Sequence, residues 1–468
     1  MSRTISIAPV TRIEGHARIN ITLDDTGQVT EARLQVQEYR GFEAFCVGRP
    51  FWEMPAITAR ICGICPVSHA LASALAGDRI LAVQPPPAAQ RLRSLLSLAQ
   101  LILSHSLSFF HLSAPDIVLG LDFNPAERNI AGLARRTPDL IRKGIRLRQI
   151  GQEIVNRVAG GHLHPEFIVP GGMRRPLDSE GRDAIACLLP EARLLADDAV
   201  AVWEEHRERF LAEMGGGGEL PGLFLGVVGA DGCLDHSSGR LRFSDGAGLV
   251  KELPPEEYAS AIAETVSSDS YLKSTVCTVG DEPFYRVGPL ARLHVAPFDQ
   301  APRAEQARRD FLQDKSLARS SLGYHQARLI EMCYAVERLE TLLTDPLITD
   351  PHVLARADVN ARSGVGITEA PRGTLIHHYE VDGDGLLTRV NLIVATAHNG
   401  QAMDRAITAL ARQHLCGEKL TEGMLNRVEH GIRLYDPCLS CATHLTGRLG
   451  IAIQLRAPGG KVLDSSWL

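Results

Sequence analysis

The sequence predicts a mainly α fold of the α+β kind: a core bundle of long helices, a small N-terminal β-sheet and peripheral β segments. Three observations in the 468 residues predict it. Residues 88–112, 138–158, 179–214 and 304–343 carry apolar side chains at three-to-four spacing over helical lengths. Ile19, Ile21 and Leu23 alternate with polar residues up to the turn Asp24-Asp25-Thr26-Gly27. Between residues 222 and 253 glycines punctuate short β-rich runs.

Taken in order, residues 1–40 form the sheet, with strands at 5–8, 17–24 and 28–38. Thr11-Arg12-Ile13-Glu14-Gly15-His16, dense in ionisable groups, lies between its strands. Tyr39-Arg40-Gly41-Phe42-Glu43 and a short helix lead to Arg60-Ile61-Cys62-Gly63-Ile64-Cys65-Pro66-Val67-Ser68-His69. Pro66 suits a first helical turn, so a helix over 67–83 is expected, stopped by Pro85-Pro86-Pro87. Both cysteines then sit at a helix N-terminus, where free N–H groups and partial positive charge favour thiolate over thiol.

The helices at 88–112 and 138–158 follow. The helix at 179–214 ends in Gly215 to Gly218, which is no phosphate loop because no Gly-Lys-Ser/Thr follows. Residues 222–253 read as a surface β-insertion, and 304–343 as one long helix. Glu369-Ala370-Pro371-Arg372-Gly373 leads into a hairpin across Asp382-Gly383-Asp384-Gly385, with a return strand at 386–394. Helices at 402–414 and 421–434 precede Asp436-Pro437-Cys438-Leu439-Ser440-Cys441-Ala442-Thr443-His444. Strands at 448–455 and 461–467 close the chain.

Composition excludes several classes. A net charge of −6 leaves no basic footprint for nucleic acid. Ten cysteines are too few for a disulfide scaffold, and their clustering with histidine points to metal in a reducing compartment. The N-terminus lacks the apolar core of a signal peptide. The most apolar stretch, 95–121, is interrupted by Gln100, His105, His111 and Asp116, so it reads as a buried helix and not a membrane insertion. A cytoplasmic protein is expected.

The two C-x-x-C units, each followed by a histidine, carry the chemistry. Ten cysteines in a chain of this length give about 0.2 such pairs by chance. Brought together, they would build one four-thiolate site. Structural zinc, an iron–sulfur cluster, a redox dithiol and a catalytic site for a soft metal such as nickel all remain open on spacing. Zinc ribbons take their knuckles from nearby sequence, whereas Cys65 and Cys438 are separated by most of this chain. Cys46, Cys187, Cys233, Cys277, Cys333 and Cys416 are isolated and read as small buried hydrophobes.

At this point the residues resemble a family. Arg60-x-Cys62-Gly63-x-Cys65-x-x-x-His69 and Asp436-Pro437-Cys438-x-x-Cys441-x-x-His444 are similar to the two signature motifs of nickel–iron hydrogenase large (catalytic) subunits. Thr11 to His16, Arg40-Gly41-Phe42-Glu43 and Glu369 to Gly373 match further motifs in the family's order. The finer pattern looks most like the soluble cytoplasmic, NAD(P)-linked bidirectional subgroup.

The resemblance implies a large-subunit catalytic domain over 1–444 that reversibly splits H2 into protons and electrons. Cys62, Cys65, Cys438 and Cys441 would bind nickel, with Cys65 and Cys441 bridging to an iron that carries CO and CN ligands. Glu14 would be the first proton relay. Arg372 would overhang the open metal position, with Asp116 and Asp436 as carboxylates around it. Pro371 would line the iron's pocket, and His69 would hydrogen-bond a bridging thiolate. Glu43 and His444 would hold magnesium, completed by a carbonyl of residues 391–394.

Partners are implied too: a small subunit with iron–sulfur clusters, diaphorase subunits carrying FMN and NAD chemistry, nickel-insertion proteins and a maturation protease. The protease would remove residues 445–468. Alternatives from other classes are a non-catalytic protein stapled by zinc and a hydrogen-sensing regulatory subunit.

Overall fold

The computed structural model describes residues 3–161, 164–215, 219–236, 239–267, 269–280, 284–415 and 420–443, and the strands 452–456 and 462–467. Its centre is a rod of helix. Pro87–Ser106 continues through a widened π-helical turn, Leu107–Ser113, into Ala114–Leu119. The run Pro87–Leu119 is long and apolar enough to cross a membrane, but 83% of its apolar 18-residue window is buried inside the fold. Pro138–Ala159 and Tyr324–Leu343 pack against its first segment, and Leu189–Glu213 packs on the latter. Tertiary packing of these apolar faces, more than helix propensity, holds such helices.

Two expected helices are broken, each for a local reason. The helix expected at 179–214 splits into Ser179–Ala186 and Leu189–Glu213, with Pro190 in the first turn of the second piece. The helix expected at 304–343 becomes Pro302–Gln313, Lys315–Arg319 and Tyr324–Leu343. Asp314 caps the second piece by accepting from the Leu317 N–H, and Ser320 accepts from the Leu322 N–H before the third. The periodicity continues through these breaks because all the pieces face one core.

The N-terminal sheet is antiparallel in chain order, Arg3–Ile7, Ala17–Leu23 and Val29–Val36. The helix Gly400–His414 covers it. Thr408 Oγ1 accepts from the Ala32 N–H at 2.9 Å, and Asp404 accepts from the Leu34 N–H at 2.8 Å. Burial pushes the Asp404 carboxyl up to about 7. A folded-state value above the unfolded one means stability present at low pH and lost as pH rises through about 7. Asp404→Asn is therefore expected to stabilise the protein at pH 8, by roughly 1–3 kcal/mol, and to give no such gain near pH 4. Thermal melts at the two pH values check this.

The β-insertion is not confined to the surface. Its strand Leu223–Val228 is buried along its whole length, pairs with Arg240–Ser244, and lies parallel to Tyr285–Arg286. Its Val227 N–H donates to Glu369 Oε1 at 3.1 Å, so the insertion braces the segment that carries Arg372. A second antiparallel sheet, Ser363–Ala370, Gly373–Val381 and Leu387–Ile393, packs on the helix Pro66–Leu81. The hairpin across residues 382–385 falls where expected. The strands Ala452–Arg456 and Val462–Trp467 pair with each other.

Of the isolated cysteines, Cys46 and Cys277 are buried, Cys233 and Cys333 are partly buried, and Cys187 is exposed, against expectation. Cys416 and residues 216–218 lie outside the described residues.

Candidate metal centre

The two cysteine loops meet in the core. The four Sγ atoms of Cys62, Cys65, Cys438 and Cys441 lie within 4.8 Å of one another, all buried. Cys62 contacts Cys438 at 3.2 Å, Cys65 contacts Cys441 at 3.5 Å, and Cys438 contacts Cys441 at 2.8 Å. Each loop ends at a helix start. Cys65 stands just before Pro66–Leu81, with Pro66 in its first turn, and Cys438 just before the short helix Leu439–Ala442.

Three segments clamp the loops together. Glu14 pairs with Cys438 as a parallel β-bridge, and the Leu439 N–H donates to Glu14 O at 3.2 Å. This approach needs Gly15, at φ +89°, because a Cβ there would lie 2.7 Å from that of Leu439. Arg40 bridges both loops. Its Nη1 donates to Ile61 O beside Cys62, and its N–H donates to Thr443 O beyond Cys441. Thr396 Oγ1 accepts the Cys438 N–H at 2.9 Å.

The electrostatics call for a cation. Hydrogen bonds from the other three thiols outweigh burial and hold the Cys65 thiol well below its usual range. Burial, reinforced by Cys62 and Cys65, pushes Cys438 and Cys441 well above theirs. The protein alone thus favours the thiolate at Cys65 and opposes it at Cys438 and Cys441, and a metal ion would remove that opposition. A soft or borderline metal fits this donor set.

Arg372 overlooks the sulfurs. It lies in the tight turn between Ser363–Ala370 and Gly373–Val381, where Ala370 and Gly373 are the last paired residues. Gly373 adopts φ +134°, and a Cβ there would collide with the Val287 side chain. Arg372 Nε donates to Asp436 O at 2.5 Å, and Nη2 pairs with the Asp436 carboxylate at 3.1 Å. Burial lowers the Arg372 pKa, but Asp436 and the neighbouring cysteines outweigh it and hold the guanidinium charged. Asp436 itself sits at φ +51°, a conformation non-glycine residues rarely adopt.

The second carboxylate expected around Arg372 is elsewhere. Asp116 pairs with Arg12 at 2.6 Å, His430 at 2.7 Å, Arg433 at 3.0 Å and Arg128 at 3.2 Å. It ties the Thr11–His16 segment to the last long helix. The residue of the central rod that does face Arg372 is Ser104, whose Oγ accepts from Nη1 at 3.4 Å. The two stand twelve positions apart, about 18 Å along the rod, so both cannot face one guanidinium.

His69 stands where the motif places it. Its Nε2 lies 3.4 Å from Cys441 Sγ, and its Nδ1 lies 3.2 Å from His377 Nε2. His377 in turn meets the Tyr379 hydroxyl at 2.7 Å. Pro371, Leu375 and Val394 line a small apolar cavity beside Cys65 and Cys441.

Glu14 is joined to the second loop through Ser440. Glu14 Oε2 accepts the Ser440 N–H at 3.0 Å, and the Ser440 hydroxyl donates to Glu14 Oε1. Ser440 was missed by sequence reasoning. Its signal was its position between Cys438 and Cys441. Glu43 accepts from the Leu392 N–H at 2.7 Å, a contact through a donor and not through the carbonyl expected of residues 391–394. The cation beside it is Lys273, whose Nζ also contacts Glu264 at 2.7 Å and Asn391 at 2.8 Å. His444 lies outside the described residues.

A fold of long helices around a buried four-cysteine centre, overlooked by an arginine, defines a metalloenzyme catalytic subunit. The family profile described as "Nickel-dependent hydrogenase" matches residues 40–165 and 258–444, and one described as "HoxL-like" matches 4–39. The chain belongs to the nickel-dependent hydrogenase family, and its site binds nickel and iron.

Among its relatives, the NAD-reducing hydrogenase HoxS subunit beta of Cupriavidus necator is 38% identical over 99% of both chains. An F420-non-reducing hydrogenase (vhu) chain of Methanococcus voltae is 40% identical over 87% of this chain and 98% of its own. Among solved structures, an NAD+-reducing [NiFe]-hydrogenase in the H2-reduced state superposes with a TM-score of 0.89 at 45% identity, over 94% of this chain and 99% of that one. The Ni-Fe-Se hydrogenase of D. vulgaris Hildenborough gives 0.77 at 26%, over 95% of this chain and 100% of that one.

Proposed function

We propose that this hydrogenase subunit passes the electrons from H2 through an iron–sulfur small subunit to a NAD(P)-reducing diaphorase module. The observation that carries the hydrogen chemistry is the convergence of four buried cysteines under Arg372. The NAD-reducing relative and solved structure support the acceptor. Among the described residues, the four-cysteine group is the one place where three or more metal-ligating side chains converge. Electrons therefore leave through a partner. The exposed Tyr39, Phe45 and Trp52 flank the segments that clamp the cysteine loops and suit a docking face for that partner.

Cys62 and Cys438 would hold nickel, and Cys65 and Cys441 would hold both nickel and iron, as the family resemblance implies. Cys65 and Cys441 contact each other and, with Cys438, border the apolar cavity, which suits CO and CN ligands on the iron. When bound, the metals supply heterolytic H2 cleavage. The chain's own residues do the rest. Arg372 presents a fixed positive charge over the cavity, anchored by Asp436. His69 tunes Cys441 by hydrogen bonding. Glu14 takes the proton from a cysteine sulfur. Magnesium is assigned to Glu43 and His444, beside Lys273. Infrared bands of metal-bound CO and CN in the purified complex test the iron assignment. Their absence from nickel-loaded, active enzyme would refute it.

Residues 445–468 are proposed to be removed by a maturation protease after nickel-insertion proteins act. The family match ends at 444, and the NAD+-reducing structure covers 99% of its own length but 94% of this chain. The described strands beyond 444 pair with each other. Intact-mass measurement of active enzyme is expected to show termination at His444. Active chains still ending at Leu468 would overturn processing. A cytoplasmic location is part of the same proposal, as the compartment of a NAD(P)-linked enzyme.

A further inference from the structure

Two hydrogen-bonded chains lead away from the cysteine centre, and they end differently. His69–His377–Tyr379 runs into the core, where Tyr379 is fully buried. The chain from Glu14 reaches water. The Ser440 hydroxyl touches both Glu14 Oε1 and, at 3.3 Å, Glu38 Oε2. Glu38 Oε1 meets His16 Nδ1, and the His16 side chain is 78% exposed against 21% for Glu38.

We infer that Ser440, Glu38 and His16 form the proton exit of this enzyme, carrying each proton from Glu14 to solvent. The inference rests on the reading of Glu14 as the first relay. The geometry explains why a serine stands between two ligand cysteines: one hydroxyl spans two carboxylates. It also explains a second use of the Thr11–His16 segment. Gly15 lets Glu14 face inward to Ser440, while His16, two residues on, faces outward beside Glu38.

The proton count closes. Glu14 gives a proton to Ser440 Oγ as the hydroxyl proton of Ser440 passes to the Glu38 carboxylate. Glu38 passes it to His16 Nδ1, and the resulting imidazolium releases a proton from Nε2 to water. Rotation of the Ser440 hydroxyl, together with solvent exchange of the exposed His16 ring protons that returns the hydrogen from Nδ1 to Nε2, resets the chain. No bond between heavy atoms changes, and no electron moves.

The test is H2/D2O isotope exchange by the metal-loaded complex. Ser440→Ala and Glu38→Gln are expected to slow exchange about 10²-fold, the size of a lost proton-transfer group, with nickel content and infrared bands unchanged. Ser440→Thr, which keeps the hydroxyl, is expected to restore most of it. In the metal-free chain, Ser440→Ala is expected to shift the carboxyl infrared bands of both Glu14 and Glu38, because one hydroxyl contacts both. Wild-type exchange in Ser440→Ala and Glu38→Gln, alongside an inactive Glu14→Gln, would overturn the exit and leave the Glu14 relay standing. Wild-type exchange in Glu14→Gln would overturn both.

Discussion

Replacing Cys438 by serine is expected to abolish nickel retention, with more than a 100-fold loss of metal affinity and no H2 turnover. Even outer neighbours of a metal ligand cost 10–100-fold when changed, so a ligand costs more. Cys438 is also the sulfur shared by both contacts of shortest reach, at 2.8 Å to Cys441 and 3.2 Å to Cys62. A serine hydroxyl at this buried position does not ionise and is a poor partner for a soft metal. Nickel per chain in the purified complex is the measurement. Stoichiometric nickel in the variant would sink the site assignment, and an unchanged melting profile of the metal-free chain would separate metal loss from misfolding.

Arg372→Lys is expected to assemble the metals but lose 10²–10³-fold in turnover, the usual effect of removing one preorganised donor. The arginine uses its fork. Nε holds the Asp436 carbonyl while Nη2 holds the carboxylate and Nη1 reaches Ser104. A lysine ammonium keeps the charge but offers no plane with which to satisfy these three directions. Wild-type turnover with normal nickel content would make Arg372 a structural ion-pair partner of Asp436. Lysine at 372 would leave a cation beside the buried Asp436, so fold loss is not the expected outcome.

Much of the fold was legible because its signals are local. Each C-x-x-C places two thiolates on one loop, and Pro66 marks the helix that follows. The alternation of Ile19, Ile21 and Leu23 marks a strand whose three side chains are buried. Breaks inside long periodic stretches were not legible. Asp314 and Ser320 look like ordinary polar residues on a helix face until their side chains are seen capping new starts. The depth of the β-insertion was hidden for a similar reason. Glycines mark turns, but they do not say that the strand between them is buried on both faces.

By itself, the sequence determined the donor set: four thiolates in two loops, a histidine beside each pair, and an arginine, a proline and a glutamate in ordered motifs whose family resemblance singled out nickel. Ligand spacing within a loop is a short-range property, and residue types alone limit which metals can bind. Only the tertiary structure decided the partners. It paired Cys62 with Cys438 and Cys65 with Cys441, each across 376 positions. It set Ser104 and not Asp116 against Arg372, put Lys273 beside Glu43, and linked Glu14 to water through Ser440, Glu38 and His16. Such contacts depend on distances between segments that approach only when the core closes, and no local spacing encodes them.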